Sequence, residues 1–282
     1  MSVVARDGTS APAPLVNGRV RHRSWWPLEF YRSAIGKKWV MAVTGIVLMG
    51  YVLLHMIGNL KVYLGPEAIN DYGEFLRDFG EPALPRSTVL WMLRIGLTTA
   101  FLLHLHAAYA LTRMNWKSRA GGYRSKRDYV AANYASRTMR WSGIIVLLFV
   151  VYHLADLTWG WVNPDYTRGD VYHNLVESLS RPPIALLYVM ANVALGFHLF
   201  HGAWSMFQSL GLNHPRFNRW RRWFAYGFTA VVVAGNLSFP IMVQLGVIDE
   251  DNRAPTTEES HGPRLGDVDH GPRVDHGPRL GI

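Results

Sequence analysis

Six histidines lie inside apolar stretches of this chain: His55, His104, His106, His153, His198 and His201. Two of them fall within GFHLFHGAWSMFQSLGLNHP (196–215), a run of more than three helical turns. An imidazole held away from water needs partners for its ring nitrogens, and an ionisable group at that depth normally faces a bundle interior. One such residue on its own reads most simply as a packing histidine with a satisfied hydrogen bond. Recurrence in four separate runs points to shared chemistry, with the imidazole nitrogens acting as metal ligands or as a proton path.

The elements that must position these rings are helices at membrane depth. Spanning a bilayer takes about 20 apolar residues, and five runs qualify, near 39–63, 88–112, 141–162, 184–210 and 223–247. The expected fold is all-α, a polytopic membrane protein built as a five-helix bundle. The expected division is a flexible segment at 1–24, the transmembrane region at 25–247 and a disordered tail at 248–282. That tail repeats HGPR, and its Pro and Gly content resists packing. Residues 1–24 lack the apolar core of a signal peptide.

Charge follows topology. The chain carries 29 Lys and Arg against 20 Asp and Glu, a net charge of +9, which by itself would admit nucleic acid as a partner. The cations concentrate before the first run (Arg32, Lys37, Lys38), between the second and third (Arg113, Lys117, Arg119, Arg124, Arg140) and between the fourth and fifth (Arg216, Arg219, Arg221, Arg222). The other two connections are acidic, with Glu67, Asp71, Glu74, Asp78 and Glu81 in one and Asp165, Asp170 and Glu177 in the other. This alternation is the positive-inside pattern. It argues against nucleic acid and predicts a cytoplasmic N-terminus and an extracytoplasmic C-terminus. With no cysteine, the chain forms no disulfide, attaches no haem covalently and holds no ordinary iron–sulfur cluster. No internal repeat of functional meaning is evident. AINDYGEFLRDFG, inside the first acidic connection, has the apolar spacing of a short amphipathic helix on the outer surface.

Helical rise sets the histidine depths. His55 stands about 25 Å beyond Lys38, and His153 about 20 Å beyond Arg140, both in the outer half. Spans two and four run inward, and His106 lies about 10 Å and His198 about 18 Å from their cytoplasmic ends, deeper toward the cytoplasm. The predicted pairs are His55 with His153 and His106 with His198. Two stacked pairs match the axial requirement of two b haems, each iron taking one imidazole nitrogen from either face. His104 and His106 are about 200° apart on a helix, so only one faces inward, and His106 is taken as that residue. Small residues should flank the macrocycles, as Gly58, Ala110, Ala194 and Gly202 do in sequence. His201, nearly on the face of His198, reads either as a contact to a haem propionate or quinone, or as a buried interhelical hydrogen bond.

SAIGKKWVMAVTGIVLMGYVLLHMIGNL (33–60), LHAAYA (105–110), VYHLAD (151–156) and the 196–215 stretch together resemble the single-chain, five-helix, two-haem cytochrome b subunits of succinate:quinone oxidoreductases. The resemblance is to actinobacterial members, and the Arg- and Trp-rich character suits such a high-GC source. The resemblance covers roughly 33–247. It implies His55, His106, His153 and His198 as axial ligands, a bacterial cytoplasmic membrane location and menaquinone as electron acceptor. It also implies two partners on the cytoplasmic face: a flavoprotein subunit carrying FAD that oxidises succinate, and an iron–sulfur subunit. A higher oligomer of such complexes is an open possibility. A fumarate reductase would use the same residues in reverse.

Quinone chemistry needs a proton donor and hydrogen bonds to two carbonyls. Asp156, one turn beyond His153, is a candidate for proton exchange, the simpler reading being an ion pair with Arg94 or Lys61. Arg94 is alternatively a propionate partner. Ser33, Lys37, Trp204 and Gln208 are candidates for a quinone pocket at the cytoplasmic end, against plain packing and interfacial anchoring. Asn59 and Gln244 read as interhelical hydrogen bonds, and span five as structural, kinked at Pro240. Different classes with the same histidines are an unrelated dihaem cytochrome and a transporter using them as a proton or metal path.

Overall fold

In the computed structural model, residues 26–118, 130–212 and 214–252 are described, the side chains of 130–137 excepted. Residues 1–24, most of the basic connection at 119–129 and the HGPR repeats fall outside this set. The described chain is helical: α1 (Trp26–Arg32), α2 (Ala34–Asn59), α3 (Pro66–Asp78), α4 (Thr88–Ser118), α5 (Val130–Leu157), α6 (Val171–Ser180), α7 (Pro182–Ser209) and α8 (Asn218–Gln244). Five segments, formed by α2, α4, α5, α7 and α8, are long and apolar enough to cross a membrane. Together they indicate a multi-pass membrane protein.

Ser33 starts α2 by accepting from Gly36 N at 2.9 Å, satisfying a backbone donor that the helix itself leaves unpaired. Lys37 returns its ammonium to the carbonyls of Tyr31 and Arg32, which end α1. Ser33 and Lys37 are thus both committed to the α1–α2 corner.

The spans form a row in which α2 packs against α4 and α7, and α7 against α5, with α8 laid across α7 and α2. α7 is the most enclosed span, while α4 and α5 leave most of their surface exposed. The diagonal pairs α2–α5 and α4–α7 are not among the closely packed ones. Trp26, Trp91, Trp116, Trp159, Trp161, Trp220 and Trp223 are exposed near helix ends, as side chains at a headgroup boundary are.

One end of the bundle is capped. The acidic connections each carry a short helix, α3 and α6, and these pack together above the spans. α3 is the amphipathic helix expected from its apolar spacing. α6 is an addition to the expected elements, an amphipathic helix of 10 residues in the second acidic connection. Tyr172, Leu175, Val176 and Leu179 join Val62, Ile69, Phe239 and Val243 in one core. Ile248 completes that core, and Tyr172 donates to Asp249 O at 2.8 Å, so the packed region continues past 247, beyond the expected start of the tail. Gln244 donates to the carbonyls of Leu179 and Ser180, the interhelical role expected of it. At the other end lie Lys37, Lys38, Arg113, Lys117, Arg140, Arg219 and Arg222. The two ends are called capped and basic below.

The cap is held by Asn70. Its amide oxygen accepts from Val171 N at 2.8 Å and Tyr172 N at 3.2 Å, and its amide nitrogen donates to Asp170 Oδ1 at 3.1 Å. Asp170 in turn accepts from His173 N. One side chain of α3 therefore satisfies the first backbone donors of α6. Asn70→Ala is expected to destabilise the protein by about 1 kcal/mol, the usual cost of a lost N-cap, whereas Asp71→Ala, at an exposed neighbour, leaves it unchanged. Thermal unfolding of the detergent-solubilised protein measures both.

Candidate haem sites in the bundle

The six membrane histidines are carried by four helices, α2, α4, α5 and α7, and the placement sorts them. His55 of α2 and His153 of α5 face one another with ring centroids 5.9 Å apart and planes at 88°. His198 of α7 faces α4 in the same manner, but its partner is His104, at 6.4 Å and 69°. His106 points elsewhere. It is exposed, and its Nδ1 is hydrogen-bonded to the Tyr31 hydroxyl of α1. Where His106 was expected opposite His198, the ring that faces His198 is His104. The reason is rotational: two residues along α4 is over half a turn, and the packing of α4 on α2 turns His104 inward. Depth already contained the hint, since His104 lies about 14 Å from Arg113, nearer the height of His198.

The ring nitrogens follow a common pattern. His104 Nδ1 meets Thr44 Oγ1 at 3.2 Å, His198 Nδ1 meets Ser142 Oγ at 3.5 Å, and His153 Nδ1 meets Tyr188 OH at 3.3 Å. The side-chain hydrogen bonds of these three rings all use Nδ1 and leave Nε2 unused. A ligating imidazole has this arrangement, one nitrogen oriented by a neighbour and the other open to metal. His55 differs, because its Nε2 takes a hydrogen bond from Asn59 Nδ2 at 3.3 Å, one turn along the same helix. Asn59 is thus an intrahelical partner rather than an interhelical one, and an iron on His55 Nε2 would displace it.

An iron between two imidazoles, with bonds of about 2 Å, sets their ring centroids roughly 6 Å apart. Both observed separations agree. Near-perpendicular ring planes are no obstacle, since each ring presents one nitrogen along a shared axis. The glycines fit as well: a Cβ on Gly45 would come within 3.5 Å of His104 Cε1, and one on Gly143 within 3.3 Å of His198 Cε1. Among the described residues no three His, Asp or Glu gather into a cation site. Pairs are the right number for a haem iron, whose macrocycle occupies its other four positions. Gly58, expected beside a macrocycle, instead admits the Tyr72 ring of α3, 2.7 Å from where a Cβ would stand.

These contacts expose a repeat that the expectation of none had missed. TGIVLMGYVLLH (44–55) on α2 and SGIIVLLFVVYH (142–153) on α5 share a hydroxyl residue, Gly and Ile followed by His at the same spacing. In each, the hydroxyl orients the histidine of the next span, and the terminal histidine faces its counterpart. Each half then continues through a short capping helix, α3 or α6, to a span whose histidine completes the other pair. The two histidine levels are eleven residues apart on α2 and α5, or about 16 Å.

Asp156 of α5 is 0% exposed. Its Oδ2 accepts from Tyr188 OH at 2.8 Å and from Ser178 Oγ, and Arg181 Nη2 stands 3.7 Å from its Oδ1. The ion partner is thus Arg181 of the α6–α7 junction. Arg94 and Lys61 are placed elsewhere: exposed Arg94 lies over the Trp91 ring and Lys61 over Tyr72. His201 Nε2 pairs with Thr138 Oγ1 at 3.2 Å, the interhelical alternative. At the basic end, Lys37 lines a groove of about 340 Å³ with His106, Tyr109, Arg113, Met114 and Lys117. Trp204, under Arg222, and exposed Gln208 do not line it. Tyr31, Thr44, Ser142, Ser178, Arg181 and Tyr188 were not singled out from sequence. Only the 44/142 repeat offered a signal for two of them.

Comparison with known proteins gives one family. The profile described as succinate dehydrogenase/fumarate reductase transmembrane subunit matches residues 121–235, which include His153, His198 and most of α8. No curated protein matches the chain, and no solved structure does. Over residues 121–235 the chain is thus similar to the membrane subunits of succinate dehydrogenases and fumarate reductases.

Proposed function

We propose that this protein anchors a succinate:quinone oxidoreductase to the membrane and carries electrons across it on two b haems, one at each histidine pair. The observation that carries this reading is the pair of facing imidazoles at two levels, each with the separation that a six-coordinate iron requires. His55 and His153 hold the haem nearer the capped end, and His104 and His198 the one nearer the basic end. A haem b bound at each site supplies reversible one-electron transfer.

The chain's own residues do the rest. Two fixed protein ligands per iron leave no position for oxygen, which favours electron transfer over oxygen chemistry. Thr44, Ser142 and Tyr188 orient the rings through Nδ1. The basic end faces the cytoplasm by the positive-inside pattern and receives the flavoprotein and iron–sulfur subunits that the family implies. The capped end and the C-terminus face outward. Electrons enter at the basic end, and the acceptor is a quinone, menaquinone in keeping with a two-haem member. The same residues would serve fumarate reduction with electrons running the other way.

The purified complex is expected to show a reducible b-type spectrum with two haems per chain by pyridine haemochrome. A colourless preparation would sink the reading. His55→Ala or His153→Ala should remove the capped-end haem and spare the other. His104→Ala should remove the basic-end haem, while His106→Ala keeps both. Retention of two haems in His104→Ala together with loss of one in His106→Ala would reverse the assignment of ligands on α4.

A further inference from the structure

The two histidine pairs differ in what stands behind them. At the basic end, the hydroxyls that meet His104 and His198 give their own protons to backbone carbonyls: Thr44 to Val40 O at 2.7 Å, and Ser142 to Met139 O at 3.2 Å. Those chains end in neutral groups one turn away. At the capped end the hydroxyl behind His153 belongs to Tyr188, and its proton goes to the carboxylate of Asp156.

The directions of these bonds are fixed by chemistry. Tyr188 donates its single proton to Asp156 Oδ2 at 2.8 Å, so its lone pairs are what face His153 Nδ1 at 3.3 Å. His153 must then carry its proton on Nδ1, which leaves Nε2 as the ligating nitrogen. Tyr188 is only 6% exposed, and its ring is wedged edge-on against Phe149 at 4.9 Å and Tyr152 at 6.3 Å. Asp156 is held from three elements at once: α5 carries it, α6 supplies Ser178, and the start of α7 supplies Arg181 and Tyr188. Its Oδ1, with Arg181 Nε and Nη2, lies buried without a hydrogen-bond partner among the described residues. Such an assembly is costly at this depth, and packing alone does not call for it.

We propose that Tyr188 is a positioning residue for the axial ligand His153, transmitting the charge of Asp156 to that imidazole and so holding the capped-end haem at a lower potential than it would otherwise have. This rests on the bis-histidine reading above. The physical basis is that an Nδ1–H donated to a strong acceptor makes the imidazole a more basic ligand. A more electron-rich ligand favours ferric over ferrous iron, because the oxidised centre carries one more positive charge. A hydroxyl whose proton is drawn toward a carboxylate is a stronger acceptor than one bonded to a backbone carbonyl. The basic-end haem lacks this feature, so the two centres differ for a structural reason.

The test is a redox titration of the intact complex, followed optically and by the low-field electron paramagnetic resonance signals of the two ferric haems. Single-haem variants at His55 and His104 assign each potential. Tyr188→Phe keeps the ring and its packing but removes the acceptor. It should retain both haems, raise the capped-end potential, shift that haem's low-field signal and leave the basic-end haem alone. Asp156→Asn should move the same potential in the same direction, and Ser142→Ala should not move it. Two bound haems with unmoved potentials in Tyr188→Phe would overturn the proposal and leave the axial reading standing. A wild-type complex without haem would overturn both. Should Y188F lose the capped-end haem, D156N decides, since it retains the tyrosine: an unmoved potential there defeats the proposal.

Discussion

An imidazole at membrane depth has no water to satisfy it, and this bundle places several there. Each ring that faces another is held by a neighbour, through Nδ1 in His104, His153 and His198 and through Nε2 in His55. Meeting that demand at two heights dictates much of the architecture. α2 and α5 must stand apart at the height of His55 and His153, and α4 and α7 at that of His104 and His198. The close packing therefore runs along the row from α4 through α2 and α7 to α5, rather than across the diagonals. α8, which brings no histidine, supports α7 and α2 from behind, with Val232, Ala225 and Phe239 buried against them.

The capping layer serves the same end. α6 brings Ser178 and, at its junction with α7, Arg181 to a carboxylate that would otherwise be an unpaired charge in a sealed interior. Asn70 pins α6 to α3, so α3 contributes to the placement of that cluster without touching it. The chain of dependence runs from a surface amide, through a buried helix, to a carboxylate, a phenol and finally the ring of His153.

The two halves of the molecule solve the problem with one pattern and different second partners. Thr44–Gly45 and Ser142–Gly143 sit at matching positions, and each presents a hydroxyl and a bare backbone to the histidine of the following span. A Cβ at Gly143 would press on His198, and one at Gly45 would reach ordinary contact with His104. The halves diverge at the capped end, where α5 adds Asp156 one turn after its histidine and α2 has Asn59. One is a charge held by three groups; the other is an amide bonded back to its own His55. That asymmetry separates the two members of the capped-end pair, His55 and His153.

What the sequence determined on its own is the part governed by composition and spacing. Long apolar runs, cations and acids alternating between connections, and histidines at calculable heights are all properties of the chain read in one dimension. They sufficed for five spans, and they put His55 and His153 at one height, where the two rings face each other. Rotation about a helix axis was settled only in the tertiary structure. His104 and His106 differ little in height but by more than half a turn in direction, and only the packing of α4 on α2 decides which faces His198. Contacts between distant segments were likewise hidden: Arg181 rather than Arg94 or Lys61 for Asp156, and Tyr72 rather than a macrocycle beside Gly58. Each depends on where one helix meets another in space, which spacing along a single helix does not encode.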